Sequence, residues 1–210
     1  MAPLLLILVL CAVPAGAMAG GVRVPATSAR EAGRFWSAAR IRAAKPLEVT
    51  TPSTIVARRA DGERGAPHRV AGVAARRADF GADFEQVADP TAPGFRIHGA
   101  IFVSLGIFGY GRCSGTAVRS GNQSVVFTAA HCINSGGRGG RWEKDEWTFV
   151  PAYRYGQRPF GVFPARWLDT TRQWRVSGSE NFDVGAAVVG RNQRGEPSRK
   201  RSAEPASPGT

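Results

Sequence analysis

Several classes are set aside by what this chain lacks. Its longest apolar run, Leu4 to Val13, is about ten residues, half of the about 20 that a membrane-spanning helix needs. Cysteine is scarce, with three in 210 residues. Cys11 lies inside that apolar run, and the Leu8-Val9-Leu10 before it lacks the small residue expected beside a lipidated cysteine, so no stable membrane anchor is implied. For a metal site, Cys113, Cys132 and His131 would supply three ligands without a convincing fourth, so neither a metal nor a cofactor is expected. Acidic residues are the minority, 16 against 28 basic ones, for a net charge of +12. That balance permits binding to nucleic acid. The arginines, however, are interleaved with alanine, glycine and proline, and nothing gathers them with aromatics on one face. Nucleic acid is therefore not the expected partner.

What is present falls into four stretches. Residues 1–19 read as a secretory signal, with the apolar run followed by Ala17-Met18-Ala19, a small-x-small cleavage pattern before Gly20. Residues 20–94 read as a propeptide or linker, mostly disordered, rich in Ala, Arg, Gly and Pro and without sustained periodicity. One helix is expected there. Ser28-Ala-Arg-Glu31 is a capping box followed by helix formers until Pro46. Phe35, Trp36 and Ile41 would give it an apolar patch, suited either to docking on the rest of the chain in cis or to a plain surface helix. Residues 95–190 are β-rich, with short apolar runs separated by glycines and turns and no helical stretch between them, which predicts an antiparallel barrel or sandwich. Residues 191–210 carry no large aliphatic or aromatic side chain and are expected to be a disordered basic tail.

Within the β-rich part, Gly111-Arg-Cys-Ser-Gly-Thr-Ala-Val118 and Ser124-Val-Val-Phe-Thr128 flank the polar break Arg119–Gln123. This predicts a β-hairpin. Cleavage of the signal leaves Cys113 and Cys132 as an even pair, most simply a disulfide in an oxidising compartment. It would close a loop of about twenty residues, an effect of about 3 kcal/mol. His131 follows the second strand directly beside Cys132, a setting that neither His68, in the basic leader, nor His98, at a strand opening, shares. A base of this kind needs a carboxylate to orient it. Asp183 stands just before the apolar run Val184–Val189, where burial would favour pairing with an imidazole. Asp169, a turn acid, and Asp145, in a charged loop, are poorer choices.

Cys113-Ser-Gly-Thr together with Thr128-Ala-Ala-His131-Cys132 resembles the first half of a trypsin-like (chymotrypsin-fold) serine peptidase. Phe149–Tyr153, Gly156, Pro159–Gly161 and Phe182–Gly185 are similar to its secreted bacterial, glutamyl-endopeptidase-like branch. The resemblance implies an all-β fold, an antiparallel six-stranded barrel that is the first of two. It implies secreted serine endopeptidase activity on protein or peptide substrates. His131 would be general base and then acid, Asp183, 52 residues later, its orienting partner, and Cys113–Cys132 the disulfide bracketing the histidine. The family also needs a serine in a Gly-Asp-Ser-Gly setting after the aspartate. Ser198, Ser202 and Ser207 lie in the tail without such a turn, so the expected chain is a peptidase fragment truncated before its nucleophile. The alternative is a complete, non-catalytic secreted binding module derived from such a barrel; a basic envelope protein is a weaker third reading.

Overall fold

A computed structural model describes residues 20–48 and 87–198. The expected signal, the part of the leader from 49 to 86, His68, and the tail beyond 198 lie outside the described residues.

Six strands close on themselves: β3 (His98–Ser104), β4 (Tyr110–Val118), β5 (Val125–Thr128), β6 (Thr148–Pro151), β7 (Phe163–Thr170) and β8 (Gly185–Val189). Around the ring the order is β7, β6, β3, β4, β5, β8 and back to β7, every pairing antiparallel. The chain is thus all-β, with the six-stranded trypsin-like barrel that the resemblance implied. β4 and β5 are the expected hairpin. Its turn is held by the Asn122 side chain, which accepts from the Ser124 N–H and the Ser120 hydroxyl.

The barrel interior is filled by Ile101, Val103, Val126, Ile133, Trp147, Phe149, Phe163 and Leu168, none more than 1% exposed. Strand β3 departs from simple alternation, since Ala100 to Val103 are all buried. Two layers cover it. Ile101 and Val103 face the barrel core, while Ala100 and Phe102 join a second cluster outside it.

That second cluster corrects an expectation. Residues 20–48, read from composition as lacking a packed core, fold against the barrel. Val22–Arg23 (β1) pairs antiparallel with β7, and Lys45–Pro46 (β2) pairs parallel with β4. Between them the single expected helix is two, α1 (Ala29–Phe35) and α2 (Ala38–Ala43). The Ser28–Glu31 capping box starts α1 as anticipated, but Ser37 caps a second helix and the chain turns at Trp36. The turn drives Trp36 into the pocket formed with Phe102, Val150 and Val162. Composition missed this segment because its core is completed by the barrel, not by its own residues.

Two smaller differences follow the same logic. A six-residue helix, α3 (Arg172–Ser177), stands between β7 and β8, where no helix was expected. It is too short for periodicity to reveal, and the Thr171 cap, Gly178 and the buried Trp174 define it. Residues 191–198, expected to be disordered tail, fold back onto the barrel. The Asn192 side chain bonds Phe160 O and Glu196, and Gln193 reaches Ala29 O. Hydrogen bonds hold this stretch where apolar burial cannot.

Candidate functional site

The register of β5 on β8 builds the site. Val125 faces Val188 and Thr128 faces Gly185; continued past the strand ends, this register brings residue 131 beside residues 182 and 183. His131 sits in a single 3₁₀ turn, Ala130–Cys132, directly after β5. Gly185 permits the approach: a Cβ there would lie 2.6 Å from Ile133 Cδ1 and 3.1 Å from Ala129 O. A side chain at 185 would force Ile133 or the backbone of this crossing to shift.

Asp183 grips His131 twice. Its Oδ2 lies 2.7 Å from the ring Nδ1, and its Oδ1 accepts the His131 backbone N–H at 2.9 Å. The two side chains are 21% and 18% exposed, partly withdrawn from water yet reachable. With Asp183 ionised, Nδ1 must carry the proton, which leaves Nε2 as the basic nitrogen. No serine hydroxyl among the described residues is hydrogen-bonded to His131. Both residues named from sequence are therefore brought together, although they are 52 positions apart.

The turns on either side are tied down by groups that sequence reasoning did not single out. Thr170 Oγ1 donates to Val184 O and Thr171 Oγ1 to Phe182 O, both at 2.8 Å, so the end of β7 holds the segment carrying Asp183. Trp147 Nε1 donates to Cys132 O and Trp174 Nε1 to Asn134 O. A Thr-Thr pair ending a strand was the available signal, but its partners are set by tertiary structure.

Cys113 on β4 and Cys132 in the histidine turn form a disulfide, with Cα atoms 6.1 Å apart. These two cysteines and His131 are close enough to share a metal ion, with ligand atoms within 4.8 Å. Because the two sulfurs are bonded to each other, however, they offer no thiolates. His98 has the strand-edge setting expected, exposed and 2.9 Å from Thr116 Oγ1 through Nδ1. Asp169 accepts from the Thr170 N–H at 2.8 Å, bonding its own backbone as expected, though it belongs to β7. Asp145 stays in its exposed loop.

His131 opens on a cleft of about 730 Å³. The disulfide, Ser114 and Arg112 lie along it on the barrel side, with Pro46, Leu47, Phe95 and Tyr153 also lining it. Among the described residues no helix is long and apolar enough to cross a membrane.

No protein-family model matches the chain, and no curated protein does. Among solved structures it is similar to the protease Anisep from Arthrobacter nicotinovorans, at 32% identity and a TM-score of 0.48, over 54% of this chain and 49% of that one. It is also similar to the thermostable serine protease AL20 from an extremophilic microorganism, at 33% identity and a TM-score of 0.47, over 53% of this chain and 51% of that one. The chain thus spans about half the length of either structure.

Proposed function

We propose that this chain supplies the base and orienting carboxylate of a secreted serine endopeptidase, whose seryl nucleophile is carried by a second barrel. The observation that carries the reading is the double contact of Asp183 with His131, beside a disulfide and at the mouth of a cleft. Asp183 fixes the ring with its proton on Nδ1. Nε2 then takes the proton from the serine hydroxyl as its oxygen attacks the substrate carbonyl. The imidazolium so formed lies against the Asp183 carboxylate, which stabilises it. Its proton passes from Nε2 to the leaving amine, leaving an acyl-enzyme; water then repeats the cycle through the same nitrogen. Export is proposed from the signal-like residues 1–19 and is in keeping with the disulfide.

The coding DNA beyond residue 190, read in all three frames, is expected to encode Gly-Asp-Ser-Gly within one further barrel's length. In the enzyme carrying that barrel, a fluorophosphonate should label the serine, and His131→Ala should lower kcat by about 10⁴-fold or more, since triad members act as a unit. No such segment in any frame, or His131→Ala with activity near wild type, overturns the peptidase reading and leaves the non-catalytic binding module.

A further inference from the structure

Residues 20–48 are too deeply joined to the barrel to be a detachable cover. Trp36 is fully buried and its Nε1 donates to Glu146 O. Arg158 donates to Gly33 O and Trp36 O, and Val24 enters the main barrel core. Removing the segment would uncover Phe102, Val150 and Val162 together, an apolar patch that a folded domain does not leave to water. The segment therefore stays, and where it ends matters. It runs along the edge of β4 as β2, and the Leu47 N–H donates to Arg112 O at 3.0 Å, one residue before Cys113. The Leu47 side chain lies over Gly111, where an added Cβ would come within 2.8 Å of it.

The result is one cleft with walls of two origins. His131 and the disulfide are barrel residues; Pro46 and Leu47 come from the N-terminal segment. If His131 hands its proton to the leaving amine, the peptide beyond the scissile bond is the part that passes the histidine and the disulfide. We infer that Pro46 and Leu47 form a specificity wall for that leaving-group side of the substrate, selecting a large apolar side chain. Phe95 and Tyr153 line the same cleft, so the occupant would meet apolar surface there as well; Arg112, His98, His131 and the Tyr153 phenol are its charged and titratable members. Ordered apolar walls reward a matching side chain by the area they remove from water. The inference rests on the peptidase reading for the direction in which the substrate lies.

Its test reads binding without turnover. The isotopically labelled chain is titrated with leucylleucinamide and with glycylglycinamide, mimics of the leaving product, while the His131 imidazole and the Leu47 and Gly111 amides are followed by NMR. The leucyl compound is expected to shift all three and to bind at least about tenfold more tightly, the worth of two buried side chains after ordering costs. Leu47→Trp fills the cleft and should abolish the preference. Gly111→Ala should do the same by displacing Leu47 from its seat, so that a folding defect in one variant leaves the other decisive. Equal affinity for the two amides, shifts confined to another surface, or a preference surviving in a folded variant overturns the wall. None of these results touches the hydrolytic reading, and a protein without a seryl nucleophile would leave the binding result standing.

Discussion

A histidine acts as a base when one ring nitrogen is engaged and the other is left open. His131 meets that condition through Asp183, which holds both the ring and the backbone N–H of the same residue. Asp183→Asn separates orientation from charge. The amide oxygen can still accept from Nδ1–H, but the amide N–H₂ can equally bond an Nδ1 lone pair, so one tautomer is no longer enforced. In an enzyme completed by the proposed second barrel, kcat should fall by about 10⁴-fold, as for the same change in the serine-protease triad. In this chain, nitrogen NMR of His131 should change from one tautomer, protonated on Nδ1, to a mixture; an unchanged spectrum would refute the orienting role. The sequence was informative at this scale because Cys113, His131, Cys132 and Asp183 sit in short motifs. Thr170 and Thr171 were not legible, since a hydroxyl bonding a carbonyl 14 or 11 residues away leaves no local pattern.

At the scale of elements, the loop before β6 joins the barrel to the N-terminal helices, and it does so at a cost. Glu146 has a left-handed backbone, φ 54°, and its Oε2 is buried without a hydrogen-bond partner. Burial raises its carboxyl above the usual glutamate range. Asp145 and Glu31 add to the shift, and Arg40 opposes it. A carboxyl whose folded value exceeds its unfolded one binds more protons when folded. The stability it contributes is therefore present at acid pH and is lost as pH rises through the folded value. Glu146→Gln should make the protein more stable than wild type at pH 7, with the difference shrinking as pH falls to the ordinary value of 4.5 and below. Urea unfolding across that range measures it; a variant less stable at pH 7 would show that the charge is paired. Element boundaries were only partly legible. The hairpin and the apolar β8 could be read, because alternation or a continuous apolar run marks them. The bounds of β7, Phe163–Thr170, were not legible in the same way, because its pairing to β8 is irregular near Ala165 and Trp167. A bulge of that kind interrupts the periodicity by which a strand is recognised.

For the molecule as a whole, the question is whether the barrel has one core or two. Composition suggested a β domain with an unfolded leader, because alanine, arginine, glycine and proline dominate residues 20–48 and the few aromatics have no periodic partners within the segment. Their partners are on the barrel. Trp36 stacks edge-on with Phe35 and Tyr110 and at a tilt with Phe102, at centroid distances of 5.1 to 5.5 Å. Arg40 lies over the Phe35 ring and bonds the Tyr110 hydroxyl. A surface helix that merely rested on the barrel would lose little from truncation of one aromatic. If the second cluster is a true core, Trp36→Ala leaves a cavity under Phe102 and Val150 and removes one of the two hydrogen bonds that the Glu146 carbonyl accepts, the Thr148 hydroxyl keeping the other, and should cost about 3–5 kcal/mol. Because Phe102 and Ile101 are neighbours on β3, facing opposite layers, the loss should reach the barrel itself. Unfolding followed by tryptophan fluorescence and by exchange of the Ile101 amide should then remain one transition, shifted to lower urea in both probes. A barrel that keeps its wild-type midpoint while only the helices melt would mean that the N-terminal segment is an attachment, and would remove the ground for treating Leu47 as a permanent wall of the cleft.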